Sequence, residues 1–247
     1  MTSAMEEALL AAFDDAQRRG FALLRDVMNS LSVGTTEAQA ADAARDLAGR
    51  HGFDRWYHPP EILFGENTRS NDVWKNPGAR ALKRGDMVSV TLGPSSADAY
   101  ADVGTTKVFS APDGAEEPKV LSVARECARA TAGYASQWKT VGELYIYARA
   151  WAVNHRLTLV NDRSIGHAIL PPEGALATGF PLSAHTITWL RRYQVRRLNP
   201  NRVTGLWAIR PNITDGSVAA QFEEIIYVNG PDKRILGRDD ISQVGTY

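Results

Sequence analysis

Apolar residues recur at helical spacing in the first part of the chain. Residues 4–31 carry Leu, Phe and Met on one face among charged residues, and Val33-Gly34 ends this segment. Thr35 or Thr36 can then cap a second helix over about 36–51. The pattern therefore predicts a pair of helices before any strand.

Extended, β-branched stretches follow this helix pair. Residues 53–66 are typical of a strand that contains Pro59-Pro60, and the polar loop NTRSNDVWKNPG comes after it. The runs MVSVTLG and AYADVGTTKVFS alternate in polarity and are separated by Pro94-Ser95-Ser96. This arrangement predicts a β-hairpin.

The second half repeats the order of the first. Helical spacing predicts helices at about 115–137 and about 143–155, with a break at Val141-Gly142, and then strands at 204–210 and 217–228. Two such halves would bury one shared, curved, mainly antiparallel sheet under four helices, which is an α/β (α+β) fold. No linker interrupts the pattern, so we expect a single domain over 1–247.

Composition and charge restrict the class of partner. The chain has 247 residues, 44% of them apolar, and 28 Lys and Arg residues balance 28 Asp and Glu residues. No overall field draws such a chain to nucleic acid or to an anionic membrane, so we expect a small-molecule or short-peptide ligand instead. Composition leaves the oligomeric state open.

Two further features bear on the cellular compartment. The first residues, MTSAMEEALLAAFDDAQRRG, are acidic where a signal peptide is basic, and no apolar run approaches the roughly 20 residues of a membrane span. We therefore expect a cytoplasmic protein. Cys127 is the only cysteine, which excludes an internal disulfide, and its helical context predicts a buried core thiol.

Three polar residues stand at positions where chemistry could occur. Asp102 follows Tyr100 in a strand pattern, His167 ends the sequence Ser-Ile-Gly-His, and Glu223 precedes an apolar strand finish. A lone Asp in a strand is usually a hydrogen-bonded surface or turn residue. These residues indicate a site only when they are taken together with the motifs around them.

Those motifs carry a family resemblance over nearly the whole chain. They are VGTTEAQAADAARDLAGRHGF, FGENT, KRGDMVSVTLG leading into AYADVGTTKVF, SIGHAI, GLWAIRPNI and FEEIIYV. In this order they resemble the methionine aminopeptidase and creatinase family, peptidase family M24. The resemblance implies a pita-bread fold laid out like a compact aminopeptidase, without the extra N-terminal domain of the creatinases.

The resemblance also implies a damaged metal site. The family holds two divalent metals with an Asp, a second Asp eleven residues later, a His, a Glu before Pro, and a final Glu. Thr91 stands eleven residues before Asp102, and Arg210 precedes Pro211 where the bridging Glu would be. The remaining ligand positions match the family: Asp102, His167 and Glu223.

Charge then argues against two metals. An intact site brings four carboxylates to two dications, whereas this site brings two carboxylates and a guanidinium that stays protonated. We therefore expect no cofactor. A single divalent metal held by Asp102, His167 and Glu223 is the alternative, because two carboxylates and one imidazole suffice for zinc or iron.

Arg210 has two interpretations that can coexist. It could replace the ions by bridging Asp102 and Glu223, or it could present its guanidinium to a substrate carboxylate or oxyanion. Either way we expect it to lower the pKa of both carboxyls, leaving His167 as the acid or base near neutrality.

Other residues are weaker candidates for substrate contacts. Thr91 occupies a former ligand position, Tyr57 and His58 lie where the family lines its pocket, and Trp74 lies in the altered loop. His185 falls in a region whose length departs from the family. For Tyr57, His58 and Trp74 a packing role is the alternative, and for His185 a structural one.

Three functions follow as hypotheses. The first is an enzyme that uses His167, Glu223, Asp102 and Arg210 for metal-independent acid–base chemistry, of the lyase, dehydratase, cyclase or isomerase type, on a small carboxylate-bearing, amino-acid-derived substrate. The second is a non-catalytic module that binds peptides or a protein. The third is a mononuclear metallohydrolase or aminopeptidase.

Overall fold

Two helix pairs frame the fold, as the periodicity predicts. This computed structural model describes residues 3–70, 78–111, 114–160, 164–169, 194–239, 241–243 and 245. The helices are α1 (Ser3–Ser30), α2 (Glu37–Ala48), α3 (Lys119–Tyr134) and α4 (Val141–Asn154). Trp74 and His185, two candidate pocket residues, lie outside the described ranges.

Matching capping boxes begin the second helix of each pair. Thr36 accepts a hydrogen bond from the backbone of Gln39 and Thr140 accepts one from that of Glu143, and each partner side chain bonds back to the cap residue. The predicted break at Val141-Gly142 is wrong, because the Thr140 cap makes these two residues the first turn of α4.

Ten described strands form three antiparallel sheets, ordered β1-β2-β3, β10-β9-β6-β5 and β4-β7-β8. The strands are β1 (Arg55–Phe64), β2 (Met87–Ser95), β3 (Val103–Val108), β4 (Thr158–Leu159), β5 (Gly166–Ala168), β6 (Gly205–Ile209), β7 (Asn212–Thr214), β8 (Ala219–Gln221), β9 (Glu224–Asn229) and β10 (Asp232–Ile235). The mixed fold class and the hairpin, β2 with β3, are confirmed. The single shared sheet that the sequence predicts is divided into these three sheets.

The strand predicted over 217–228 is interrupted in its middle. It divides into β8 and β9, and Glu223 between them donates its backbone N–H to the carbonyl of Gly104 on β3 at 2.9 Å. This isolated bridge joins the sheet of β3 to the second half of the chain. The interruption is therefore what brings Glu223 beside the first-half hairpin.

The apolar core has two parts, and the strands β6 and β9 contribute side chains to both. The first packs α1 and α2 against the sheet of β1–β3, with Phe13 and Phe64 fully buried, and the second surrounds α3 and α4, with Phe222 almost fully buried. Cys127 is completely buried in the second part, as predicted, and burial raises the pKa of its thiol to about 12. Among the described helices, none is long and apolar enough to cross a membrane.

Candidate active site

A buried carboxylate shared by two histidines forms the centre of the site. Asp102 is fully buried, its Oδ1 lies 3.1 Å from Nε2 of His58, and its Oδ2 lies 3.1 Å from Nε2 of His167. Nδ1 of His58 lies 3.0 Å from the carbonyl of Pro59, and Nδ1 of His167 lies 3.1 Å from that of Ala168. Each ring thus faces an acceptor at both nitrogens, which is the arrangement that suits a protonated imidazole.

The two contacts to Asp102 differ in quality. The contact from His58 has the direction of a hydrogen bond, whereas Oδ2 has no partner in hydrogen-bonding geometry although His167 is close enough for an ion pair. Burial favours the neutral forms of all three groups, but the mutual contacts outweigh it. The pKa of Asp102 lies below its ordinary value, and the pKa values of His58 and His167 lie above theirs.

An irregular edge strand positions His58. The register of β1 against β2 shifts on both sides of His58, next to Pro59 and Pro60, and β1 lies at the edge of its sheet, where proline is tolerated. The imidazole lies over Gly93, where an added Cβ would stand 2.4 Å from its Cδ2. A packing role alone therefore does not describe His58, because its ring is hydrogen-bonded to the carboxylate of Asp102.

His167 reaches the same carboxylate from the other half of the chain. It lies on β5 opposite Ala208 of β6, and its side chain is 28% exposed, compared with 15% for His58. Tyr57 is half exposed and stacks on Tyr100 at 4.2 Å between ring centroids, and its ring lies 5.9 Å from that of His167. His167 is therefore the more accessible of the two imidazoles.

Glu223 and Arg210 form the second charged pair of the site. Nε of Arg210 lies 3.7 Å from Oε1 of Glu223, a distance typical of an ion pair, and Glu61 also contributes to the field at Arg210. Burial and the charge of Asp102 raise the pKa of Glu223 to about 7, despite Arg210 and the histidines. Arg210 lowers the pKa of Glu223, as expected, but burial and the charge of Asp102 outweigh it, and the low pKa of Asp102 comes from the two histidines instead.

The predicted bridge of Arg210 between both carboxylates also differs from the structure. Both oxygens of Asp102 face the imidazoles of His58 and His167, and among the described residues the ion pair of Arg210 is with Glu223. Histidine therefore takes the position beside Asp102 that the sequence assigned to the guanidinium.

Thr91 faces the site but is held by a neutral side chain. It is fully buried, and Nε2 of Gln221 donates to its Oγ1 at 2.8 Å and to Oγ of Ser89 at 3.0 Å. The lack of a side chain at Gly104 leaves room for Thr91 and Glu223. A Cβ there would stand 3.2 Å from Oε2 of Glu223 and 3.3 Å from Oγ1 of Thr91. Sequence reasoning missed Gln221, since a glutamine in a strand carries no signal of its own.

The sequence also matches the model of a known protein family. The model of metallopeptidase family M24 matches residues 11–230, which is most of the chain. The chain belongs to metallopeptidase family M24. A search among curated protein sequences finds no match.

Solved structures of M24 proteins share the fold at low sequence identity. Prolidase from Pyrococcus furiosus matches with a TM-score of 0.74 and 15% identity over 97% of this chain, and dipeptidase PepE from Mycobacterium ulcerans with 0.72 and 19% over 94%. This chain covers only 65% and 58% of those two proteins. Methionine aminopeptidase from Thermotoga maritima matches at 0.68 and 15%, over 97% of this chain and 98% of its own.

The residues present do not fit the pair of divalent metals that the resemblance to family M24 implies. At the two altered positions, Thr91 is neutral and already bonded to Gln221, and Arg210 places a fixed positive charge against Glu223. A single ion is a different case. Ligand atoms of Asp102, His167 and Glu223 all lie within 4.8 Å of one another, which fits one divalent metal.

We predict that Gly104→Ala displaces Glu223 and destabilises the protein by about 1–3 kcal/mol, because the new methyl group would stand 3.0 Å from Cβ of Glu223. Urea unfolding measures the loss. Gly49→Ala is the matched control, since no atom lies within 4 Å of a Cβ at Gly49. Equal effects of the two substitutions would contradict the close packing over Gly104.

Proposed function

We propose that this M24 protein is an enzyme that performs metal-independent acid–base chemistry on a small, carboxylate-bearing, amino-acid-derived substrate. The observation that carries the proposal is the buried carboxylate of Asp102 between two imidazoles, 3.1 Å from each. A site that only stabilised the fold would need one counter-charge for this carboxylate, not two.

His167 is the proposed proton donor. Its contacts to Asp102 and to the carbonyl of Ala168 favour the charged ring near neutrality, and it is the more exposed imidazole. Asp102 stabilises the charge of the ring, and the proton to be donated is the one on Nε2, whose contact with Oδ2 of Asp102 does not have hydrogen-bonding geometry. His58 holds the other oxygen of Asp102 and so fixes the direction of that carboxylate.

Glu223 is the proposed complementary base. Its pKa of about 7 leaves a substantial fraction ionised near neutrality, and this is the range in which a carboxyl group exchanges protons with a substrate efficiently. A protonated imidazole and a carboxylate in one small space can remove a proton from one substrate atom and supply one to another. Elimination, cyclisation and isomerisation all need such a pair.

The charges around the site suit a substrate that carries both signs. Arg210 is 20% exposed and has nitrogens beyond the Nε that faces Glu223, so its guanidinium can bind a substrate carboxylate. Acidic groups (Asp102, Glu223 and Glu61) and basic groups (Arg210, His58 and His167) lie together around the site. A zwitterion such as an amino acid or a dipeptide can enter without leaving a net charge buried.

The first test is a binding screen with amino acids, N-acyl amino acids and X-Pro dipeptides, each beside its C-terminal carboxamide. Dipeptides are included because M24 proteins of similar fold are named prolidase and dipeptidase. We expect wild-type protein to prefer the free carboxylates, and Arg210→Gln to weaken their binding about tenfold or more while hardly changing that of the carboxamides. Equal binding of both forms to wild type would remove Arg210 from recognition.

For a compound that is turned over, His167→Ala is expected to lower the rate about 100-fold or more with little change in the unfolding midpoint, because the proton donor is lost. His51→Ala is the matched control: it also removes an imidazole from a carboxylate, that of Asp26 at 3.0 Å, but outside the site. An active His167→Ala variant would exclude this residue from the mechanism.

A mononuclear metallohydrolase is the second candidate, favoured by the grouping of Asp102, His167 and Glu223 within 4.8 Å. These three residues would hold the ion, which would supply Lewis acidity and an activated water for hydrolysis. Binding would require His167 to give up its Nε2 proton and Arg210 to remain beside an ion of the same sign.

The double variant Thr91→Asp, Arg210→Glu tests why two metals do not fit. It adds two carboxylates and removes the guanidinium, so we expect it to bind divalent metal at least about tenfold more tightly than wild type by calorimetry. Thr91→Asn, Arg210→Gln is the control of equal size without the new negative charges. No gain over that control would contradict the assignment of positions 91 and 210 to the metal site.

A further inference from the structure

A glutamine of the first helix holds the main chain of Asp102. Gln17 lies in the middle of α1, is fully buried, and its Nε2 donates to the carbonyl of Asp102 at 2.8 Å. Its Oε1 accepts from the backbone N–H of the same residue at 3.0 Å. Both polar atoms of the Gln17 amide are therefore committed to one residue, 85 positions away in sequence.

The main chain at Asp102 needs such a partner because it lies outside the β-ladder. Tyr100 forms an isolated bridge to Ser95, the N–H of Ala101 donates to the carbonyl of Pro94 at 2.9 Å, and β3 begins at Val103, so Asp102 falls between paired residues. Asp102 is completely buried, where a backbone N–H or C=O without a partner is costly. The Gln17 amide supplies a donor and an acceptor, as a neighbouring strand would.

A second contact ties the same segment to α1. Gly20, three residues after Gln17, packs so closely that a Cβ there would stand 2.5 Å from Cβ of Ala101. The helix backbone thus lies directly against Ala101 while the Gln17 side chain grips Asp102. Together these contacts set the position of Asp102 relative to α1, and hence the direction in which its carboxylate emerges.

We propose that Gln17 is a positioning residue for the site: it fixes the main chain of Asp102 so that both carboxylate oxygens meet His58 and His167. The proposal rests on the proposed function only in treating Asp102 as the anchor of the acid–base pair. Gln17 touches neither substrate nor imidazole and acts only through Asp102. A change in the position of α1 would therefore move the carboxylate between the two rings.

The test uses protein labelled with ¹⁵N-histidine and the variant Gln17→Met, which keeps the length of the side chain and removes both hydrogen bonds. We expect the imidazole signals of His58 and His167 to shift, and their ring N–H protons to exchange with water about tenfold faster or more. The signals of His51 and His155, which lie on other contacts, should stay in place.

Asp14→Asn is the matched control on the same helix. Asp14 accepts a hydrogen bond from the backbone N–H of Gly237 at 2.8 Å and pairs with Arg18 at 2.9 Å, so this change removes a charge from contacts of α1 that do not involve Asp102. We expect it to leave the signals of His58 and His167 unchanged. Unchanged signals in a folded Gln17→Met variant, or equal shifts in both variants, would overturn the positioning role.

Hydrogen exchange in the wild-type protein provides a test that does not depend on the folding of a variant. The bond to Gln17 predicts that the amide of Asp102 is protected to the same degree as the paired amides of β3. Rapid exchange at Asp102 would overturn the proposal. Neither measurement uses a substrate, so a protein without turnover would contradict the proposed function and leave the role of Gln17 standing.

Discussion

The site depends on one constraint: the carboxylate of Asp102 is completely buried, so its negative charge needs a partner inside the protein. A buried charge must be paired, and here two imidazoles 3.1 Å away pair it. Against the opposing effect of burial, this pairing lowers the pKa of Asp102 and raises the pKa values of both imidazoles. It also leaves Glu223, the next carboxyl group, in the field of Asp102, which together with burial raises its pKa to about 7.

Irregular backbone delivers three of these groups to the site, whereas His167 lies on the regular ladder of β5 with β6. His58 lies between two register shifts of β1, Asp102 precedes β3 outside its ladder, and Glu223 occupies the gap between β8 and β9. Regular strands would alternate side chains between two faces and could not converge three of them on one point. The departures from regular pairing are thus what assemble the charged cluster from both halves of the chain.

Much of this arrangement follows from the sequence, and the rest does not for physical reasons. Helical spacing and caps such as Thr36 are local, so the four helices and the hairpin of β2 and β3 could be predicted. Asp102, His167 and Glu223 were found through motifs. The contact of His58 with Asp102, the hold of Gln17 and the raised pKa of Glu223 arise only between residues distant in sequence.

The pattern of apolar residues also misled in one instructive place. Residues 217–228 alternate well enough to predict one strand, but tertiary contact breaks it at Glu223, whose N–H bonds to Gly104 instead of continuing a ladder. Periodicity records which side chains are buried and not which backbone they pair with. Glu223, the candidate functional residue, lies where the side chains keep the burial pattern of a strand but the backbone no longer pairs as one.

The measurement that most directly tests the account is elemental analysis of protein purified without chelator and then equilibrated with zinc, manganese or iron. An acid–base site built on Asp102 and two imidazoles predicts far less than one ion per chain and no change in the unfolding midpoint on adding metal. One or two ions per chain, held through dialysis, would contradict it, because the site would then be a metal centre.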